Sequence, residues 1–386
     1  MAPRSCLDEM RRHSRRRNVQ PVYIFACAVL LLIQTAACGG GPSGGQNPPP
    51  TPTFTTVDAP GAGTTPPQGT SALGINASDE VTGYFVDANG VYHGFIRSSA
   101  GTVTTIDAPD ASQTRTNGTE VTAINGSGEI IGIYSNAQGG HHSFLQTSGG
   151  TLTEFDPPNG LGSDAFAIND GGAIAGDFAD ASGAHGYVRA ANGTFTAFDP
   201  TGNASQVISV APRGINRGGA VAGFYIDTNF VHHGFVRSAD GTTMTFDAPG
   251  AGASAPAGTL ANDIDANGVI IGEVDTGTGV HHSYMRNADG TFTVFDPPTV
   301  GPAGSSANGI DDNGVVTGIF QDANNVQHGY VWNADGTFTT LDDPNAAQLP
   351  FSLASLGTNP FRINTNGAVV GFYSDSAGTR HGFVWQ

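Results

Sequence analysis

The side chains in this 386-residue sequence that could do chemistry recur at regular spacing. His93, His142, His185, His233, His282, His328 and His381 each open a His-Gly-Phe tripeptide or a close variant. Asp58, Asp107, Asp156, Asp199, Asp247, Asp296 and Asp342 each end an aromatic or apolar run, at spacings of 43 to 49. So many imidazoles suggest a metal centre. Yet residues equivalent by repeat lie on different units, and none supplies a short ligand pair such as H-x₃₋₅-H. In the pairs His141-His142, His232-His233 and His281-His282 the two rings fall on opposite faces of a strand. The expected role is structural: each imidazole bonded to neighbouring backbone, each aspartate capping the turn after its strand.

Further candidates stand where the repeat is broken. After a central glycine the residue is Tyr84, Ile133, Phe224, Ile319 or Phe372, but Asp177 and Glu273 in two units. Before a recurring Ile-Asn or Ile-Asp pair the residue is small, except Asp263 and Arg362. If that strand lines a central channel, Asp263 and Arg362 project into or beside it. Paired carboxylates such as Asp177 and Glu273 are the residue types of glycoside hydrolysis. Asp87-Ala88-Asn89-Gly90, Asp265-Ala266-Asn267-Gly268 and Asp311-Asp312-Asn313-Gly314 resemble fragments of calcium loops, but none continues to a glutamate at the twelfth position. Turn chemistry explains them, with weak calcium binding as the alternative.

The elements that must position these residues are strands. The runs VTGYF (81–85), IIGIY (130–134), IAGDF (174–178), VAGFY (221–225), IIGEV (270–274), VTGIF (316–320) and VVGFY (369–373) are short, β-branched or aromatic, and alternate with period two. Asn192-Gly193, Asp240-Gly241, Asp289-Gly290 and Asp335-Gly336 mark tight hairpins between the third and fourth strands of their units. With the opening Ile-Asn strand, each unit has four antiparallel strands, the content of a propeller blade. Phase at the ends is complementary: 54–58 is a lone fourth strand, and the chain stops at a third strand, 381–385. Pairing them closes a ring and removes the exposed edges of an open array. The expected fold is therefore an all-β, seven-bladed β-propeller of four-stranded antiparallel blades over 54–386, its last blade completed by the N-terminal strand.

Composition sets the location and the excluded partners. All 15 cations are arginine, and six of them precede residue 22. An apolar run of twelve residues (22–33) follows, too short for a comfortable membrane span. A basic region, a short apolar region and small residues describe a secretory signal over 1–37. Thr35-Ala36-Ala37-Cys38 resembles the bacterial lipobox, which implies lipidation of Cys38. Residues 38–53 read as a Gly- and Pro-rich tether. Past residue 38 there are 9 arginines against 31 carboxylates, a net of −22, which disfavours nucleic acid. Cys38 is the single cysteine outside the signal, so no internal disulfide forms.

The His-Gly-Phe strand preceded by Ile-Asn-x-x-Gly-x-[Val/Ile]-x-Gly resembles the HAF-type extracellular repeat family of bacteria. Glycine (Gly94, Gly186, Gly234, Gly329, Gly382) or serine (Ser143, Ser283) stands where that family has alanine. The resemblance covers about 54–386 and implies a secreted or surface repeat protein, with no established activity. The expected function is that of an exported lipoprotein of the outer membrane or cell surface, otherwise secreted. It would be a monomer that binds an unknown protein or glycan ligand, or acts as a scaffold, through inter-blade loops such as 109–120 and 343–359. The competing class is an exported polysaccharide hydrolase or lyase using Asp177, Asp263, Glu273 and Arg362 at the channel. No cofactor is expected.

Overall fold

The computed structural model describes residues 52–348 and 357–386. The signal, Cys38 and most of the tether lie outside the described residues, as does much of the 343–359 loop. The described chain forms 28 strands and a single 3-10 turn, Ala204–Gln206. Strand β1 (Phe54–Val57) comes first, alone. The groups that follow repeat one hairpin order. The first is β2 (Gly69–Ile75), β3 (Val81–Val86), β4 (Tyr92–Arg97) and β5 (Val103–Ile106). Next come β6 (Thr119–Ile124), β7 (Ile130–Ser135), β8 (His141–Gln146) and β9 (Leu152–Phe155), then β10 (Ser163–Ile168), β11 (Ile174–Asp180), β12 (Gly183–Arg189) and β13 (Phe195–Phe198). The chain continues through β14 (Val207–Ile215), β15 (Val221–Asp227), β16 (His232–Arg237) and β17 (Thr243–Phe246). Strands β18 (Gly258–Ile264), β19 (Ile270–Asp275), β20 (His281–Arg286) and β21 (Phe292–Phe295) form the next group. After β22 (Ser305–Ile310), β23 (Val316–Gln321), β24 (Gln327–Trp332) and β25 (Phe338–Leu341), the chain ends with β26 (Gly357–Ile363), β27 (Val369–Ser374) and β28 (Arg380–Trp385).

The last three strands find their fourth at the other end of the chain. β1 pairs antiparallel with β28, Phe54 opposite Trp385 and Val57 opposite Gly382. One apolar cluster then joins Val57, Ala72, Val81, Phe85 and Phe95 to Val370 and Val384. Each of the other fourth strands pairs within its own group, as β5 does with β4.

Why glycine sits mid-strand follows from the first strand of each group. There the register slips by one residue, at Ala72/Gly74 in β2 and at the equivalent place in the others. The bulge drives a carbonyl toward the neighbouring strand. A Cβ on Gly83 would stand 2.0 Å from the Ser71 carbonyl oxygen, and one on Gly272 would stand 1.9 Å from that of Leu260, so only glycine fits. Two residues after each repeat histidine an aromatic ring is wholly buried: Phe95, Phe144, Tyr187, Phe235, Tyr284, Tyr330 and Phe383. Each such burial contributes roughly 1.5–3 kcal/mol before the entropy of ordering is charged.

Adjacent groups are tied by the Ile-Asn residues. Asn76 Nδ2 donates to the Asn125 carbonyl, Asn125 to that of Asn169, Asn169 to that of Asn216, and Asn216 to that of Asp265. Asn364 closes the circuit by donating to the Asn76 carbonyl at 2.9 Å, 288 residues away. At the two aspartates of the series, Asp265 and Asp311, the side chain has no N–H to give. After Asp265 the tie passes to Ala266, whose N–H donates to Asp312 Oδ1 at 2.9 Å, and after Asp311 it passes to Asn313, whose Nδ2 donates to the Thr365 carbonyl at 3.4 Å.

Candidate functional site

Every repeat histidine meets its repeat aspartate. Nδ1 lies 2.9 Å from Asp107 in His93, 2.6 Å from Asp156 in His142, and 2.6 Å from Asp199 in His185. The other distances are 2.8 Å for His233–Asp247, 2.6 Å for His282–Asp296, 2.8 Å for His328–Asp342 and 3.0 Å for His381–Asp58. A carboxylate only accepts, so Nδ1–H donates in each pair. The imidazole partner is thus a side-chain carboxylate rather than the backbone expected from sequence. The aspartate, correspondingly, anchors a histidine rather than capping the following turn. Six rings also stack on the aromatic residue opposite them in the second strand, at 5.0–5.3 Å. These pairs span the third and fourth strands of each group, including the β1–β28 junction.

The calcium-like fragments are Asx turns. Asp87 Oδ1 accepts from Asn89 N and Val91 N, Asp265 Oδ1 from Asn267 N and Val269 N, and Asp311 Oδ1 from Asn313 N and Val315 N.

The four symmetry-breaking candidates fall in three places. Asp263 and Arg362 meet, Arg362 Nη1 lying 3.2 Å from Asp263 Oδ2. The same guanidinium donates to the Asn308 carbonyl at 2.8 Å and to the Arg213 carbonyl at 3.2 Å, 149 residues away. Arg362 thus links first strands β14, β22 and β26. Burial raises the Asp263 carboxyl, against the pull of Arg362. Asp177 sits opposite Asp164 in register. Burial first, then the Asp164 charge, hold Asp177 well above the usual carboxylate range, with Arg213 opposing. His141 Nδ1 lies 3.1 Å from Asp164. Glu273 is separate again: burial raises it, but the His281 imidazole 3.6 Å away, with Ser306 and His232, outweighs burial and leaves it lowered.

One groove breaks the repeat on the loop side. It has a volume of about 600 Å³ and is lined by Asp110, Tyr134, Asn136, Ala137, Gln138, His142, Glu154, Phe155 and Asp156. It lies where the β7–β8 turn, the end of β9 and the connection into β6 come together. Burial and the Glu154 carboxylate push the Tyr134 phenol up.

No known protein family matches the sequence, and no curated protein matches it. Solved structures do. Virginiamycin B lyase from Staphylococcus aureus aligns over 87% of this chain and 100% of its own, at 15% identity and a TM-score of 0.53. The BP39L lectin from Burkholderia pseudomallei aligns over 82% and 94%, at 11% identity and TM-score 0.53. The β-propeller domain of the Trilobed protease from Pyrococcus furiosus aligns over 82% and 93%, at 9% identity and TM-score 0.51. The chain has an all-β, propeller-type fold.

Sequence reasoning missed three features of the site region. The groove depends on Glu154, whose outer-strand position carries no repeat signature. Phe230 is 55% exposed at a φ of +64°, in a turn where Gly90, Gly139 and Gly378 stand in other units. The substitution is visible in sequence, but its strain is not. Third, Ser143 and Ser283 replace glycine where a tyrosine from the next unit arrives. Ser143 Oγ lies 3.4 Å from the Tyr187 hydroxyl, and Ser283 Oγ lies 2.9 Å from that of Tyr330.

Proposed function

We propose that this chain is an exported surface protein, anchored by a lipid on Cys38, whose residues 54–386 form a closed seven-bladed propeller that works as a binding or scaffold module. The 28 strands and the β1–β28 pairing are consistent with seven blades. The observation that carries the reading is the contrast between a uniform frame and unlike connections. The His–Asp pair recurs in every unit, while the connections entering the first strands differ in length and sequence. Recognition by loops displayed on a rigid frame is the common arrangement. The lectin among the structural neighbours makes glycans a ligand class to test, alongside proteins. The four channel carboxylate and arginine candidates do not converge on one concave site, which disfavours the hydrolase or lyase alternative.

A glycan and protein array probed with the body of the protein, with and without EDTA, tests the reading. Specific signal that is lost when the loop at 109–120 is replaced supports a recognition surface there. Absence of any specific signal leaves only a structural surface role. Mass spectrometry of the mature N-terminus tests the anchor, since an unmodified terminus other than Cys38 overturns lipidation.

A further inference from the structure

The residue after each repeat aspartate opens the connection to the next group. It is Ala59, Ala108, Pro157, Pro200, Ala248 or Pro297, none able to ionise, but Asp343 after β25. The main chain there follows the pattern of its counterparts. Asp343 N donates to Thr358 Oγ1 at 2.9 Å, as Ala108 N does to Thr119 Oγ1 at 3.0 Å. The Asp343 carbonyl accepts from Ala346 N at 2.9 Å, as that of Ala108 does from Ala111 N at 3.0 Å. A carboxyl thus occupies a place that elsewhere holds a methyl group or a proline ring.

Asp343 is 2% exposed, while Pro344 and Asn345 beside it are exposed. Its Oδ1 accepts from Asn345 N at 2.8 Å, and its Oδ2 is enclosed with no hydrogen bond of ordinary length. The titratable groups around it are already engaged. His381 is bound to Asp58, Asp342 is bound to His328, and the Tyr373 hydroxyl lies 3.4 Å from that of Thr56. Burial raises the Asp343 carboxyl against the hydrogen bonds from Asn345 and the pull of His381. It therefore keeps its proton nearer to neutral pH than an exposed aspartate does.

Proline follows, so the peptide link is a tertiary amide, whose nitrogen takes up a proton readily as it leaves. Three other aspartates precede proline: Asp156, Asp199 and Asp296. Each has its carboxylate held by an imidazole, at 2.6 Å from His142, His185 and His282 respectively. Among the described residues no histidine is hydrogen-bonded to Asp343.

We propose that Asp343–Pro344 is a self-cleavage site, at which the Asp343 carboxyl breaks its own peptide link. Oδ2 bonds to the Asp343 main-chain carbon, the C–N bond to Pro344 breaks, and the carboxyl proton passes to the proline nitrogen. The hydrogen bond from Ala346 N stabilises the charge that gathers on the Asp343 carbonyl oxygen during attack. The products are a cyclic anhydride on Asp343 and a secondary amine on Pro344. Water reaching the exposed turn opens the anhydride to two carboxyl groups, so the net change adds one water across the bond. Both pieces stay in one body, because β28 remains paired with β1 and β2 and Asn364 remains tied to Asn76.

Intact-mass spectrometry of the full chain, held native at mildly acid and at neutral pH, tests this. Pieces ending at Asp343 and beginning at Pro344 are expected, together one water heavier than the parent. Cleavage there should be at least tenfold faster than at the other three Asp–Pro bonds, and unfolding in guanidinium should level the four rates. Asp343→Asn and Pro344→Ala, each checked for folding by circular dichroism, should both slow the native reaction at least tenfold. An intact native chain, equal native rates at the four bonds, or undiminished cleavage in either folded variant would each overturn the proposal. A preference for Asp343 that persists in guanidinium would overturn it too, by placing the cause outside the fold.

Discussion

At the residue scale, two buried tyrosines separate packing from hydrogen bonding. The Tyr330 hydroxyl is hydrogen-bonded to that of Ser283, but the equivalent hydroxyl of Tyr284 is buried without a partner, because the preceding group has Gly234 where serine would stand. Leaving a buried hydroxyl unpaired costs about 1–3 kcal/mol. Tyr284→Phe is therefore expected to be neutral or to stabilise by about 1 kcal/mol, and Tyr330→Phe to destabilise by a similar amount. Paired urea denaturation curves measure the difference, and equal shifts for the two would refute the account. His233 gives a second prediction. Its hydrogen bond to Asp247, aided by the charges of Asp247 and Asp227, raises the imidazole above its ordinary value despite burial. A raised folded-state value gives stability that is full below the unfolded value near 6.5 and lost as pH rises through the folded one. The urea midpoint should fall across that window, and His233→Gln should flatten the fall.

At the element scale, a single amide is one tie between each pair of neighbouring groups in most of the series. Asn169 accepts from Gly171 N and Ala173 N through Oδ1, and donates from Nδ2 to the Asn216 carbonyl at 2.9 Å. Asn169→Asp keeps the turn but sets a carboxylate oxygen against that carbonyl, at an expected cost of about 1–3 kcal/mol. Asn169→Ala loses the turn as well and should cost more. If the aspartate variant matches the parent in thermal denaturation, the amide tie contributes nothing. Much of this was legible in the sequence. Period-two runs, the hairpin dipeptides and the recurring Ile-Asn pairs announced the strands and their order. What stayed hidden depended on distance between units. The His–Asp pairing needed the third and fourth strands laid in register before a carboxylate could be matched to an imidazole. The glycines opposite the bulges were visible as a column, yet their cause is a neighbouring carbonyl that no single strand reveals. Asp177 and Glu273 looked alike as text and proved unlike as chemistry, one beside another carboxylate, the other beside an imidazole.

At the scale of the whole molecule, closure is the claim with the widest reach. Deleting 54–58 removes β1, leaves β28 with an open edge and strips His381 of Asp58. The truncated chain is expected to melt at least several degrees lower and to self-associate through that edge. A synthetic 53–60 peptide added in excess should restore much of the loss by mass action. An unchanged melting temperature in the truncated chain would mean that the β1–β28 pairing does not hold the ring.

The same clasp bears on how such a protein can change length over generations. An open stack may drop or duplicate a module at its end and remain sound, because each neighbour needs only the next. Here the arc is shared among all modules and the two chain ends must still meet. Losing one stretch of some forty-five residues would oblige the others to splay, so the number of modules is inherited as a single quantity, while the crossings between them remain free to drift.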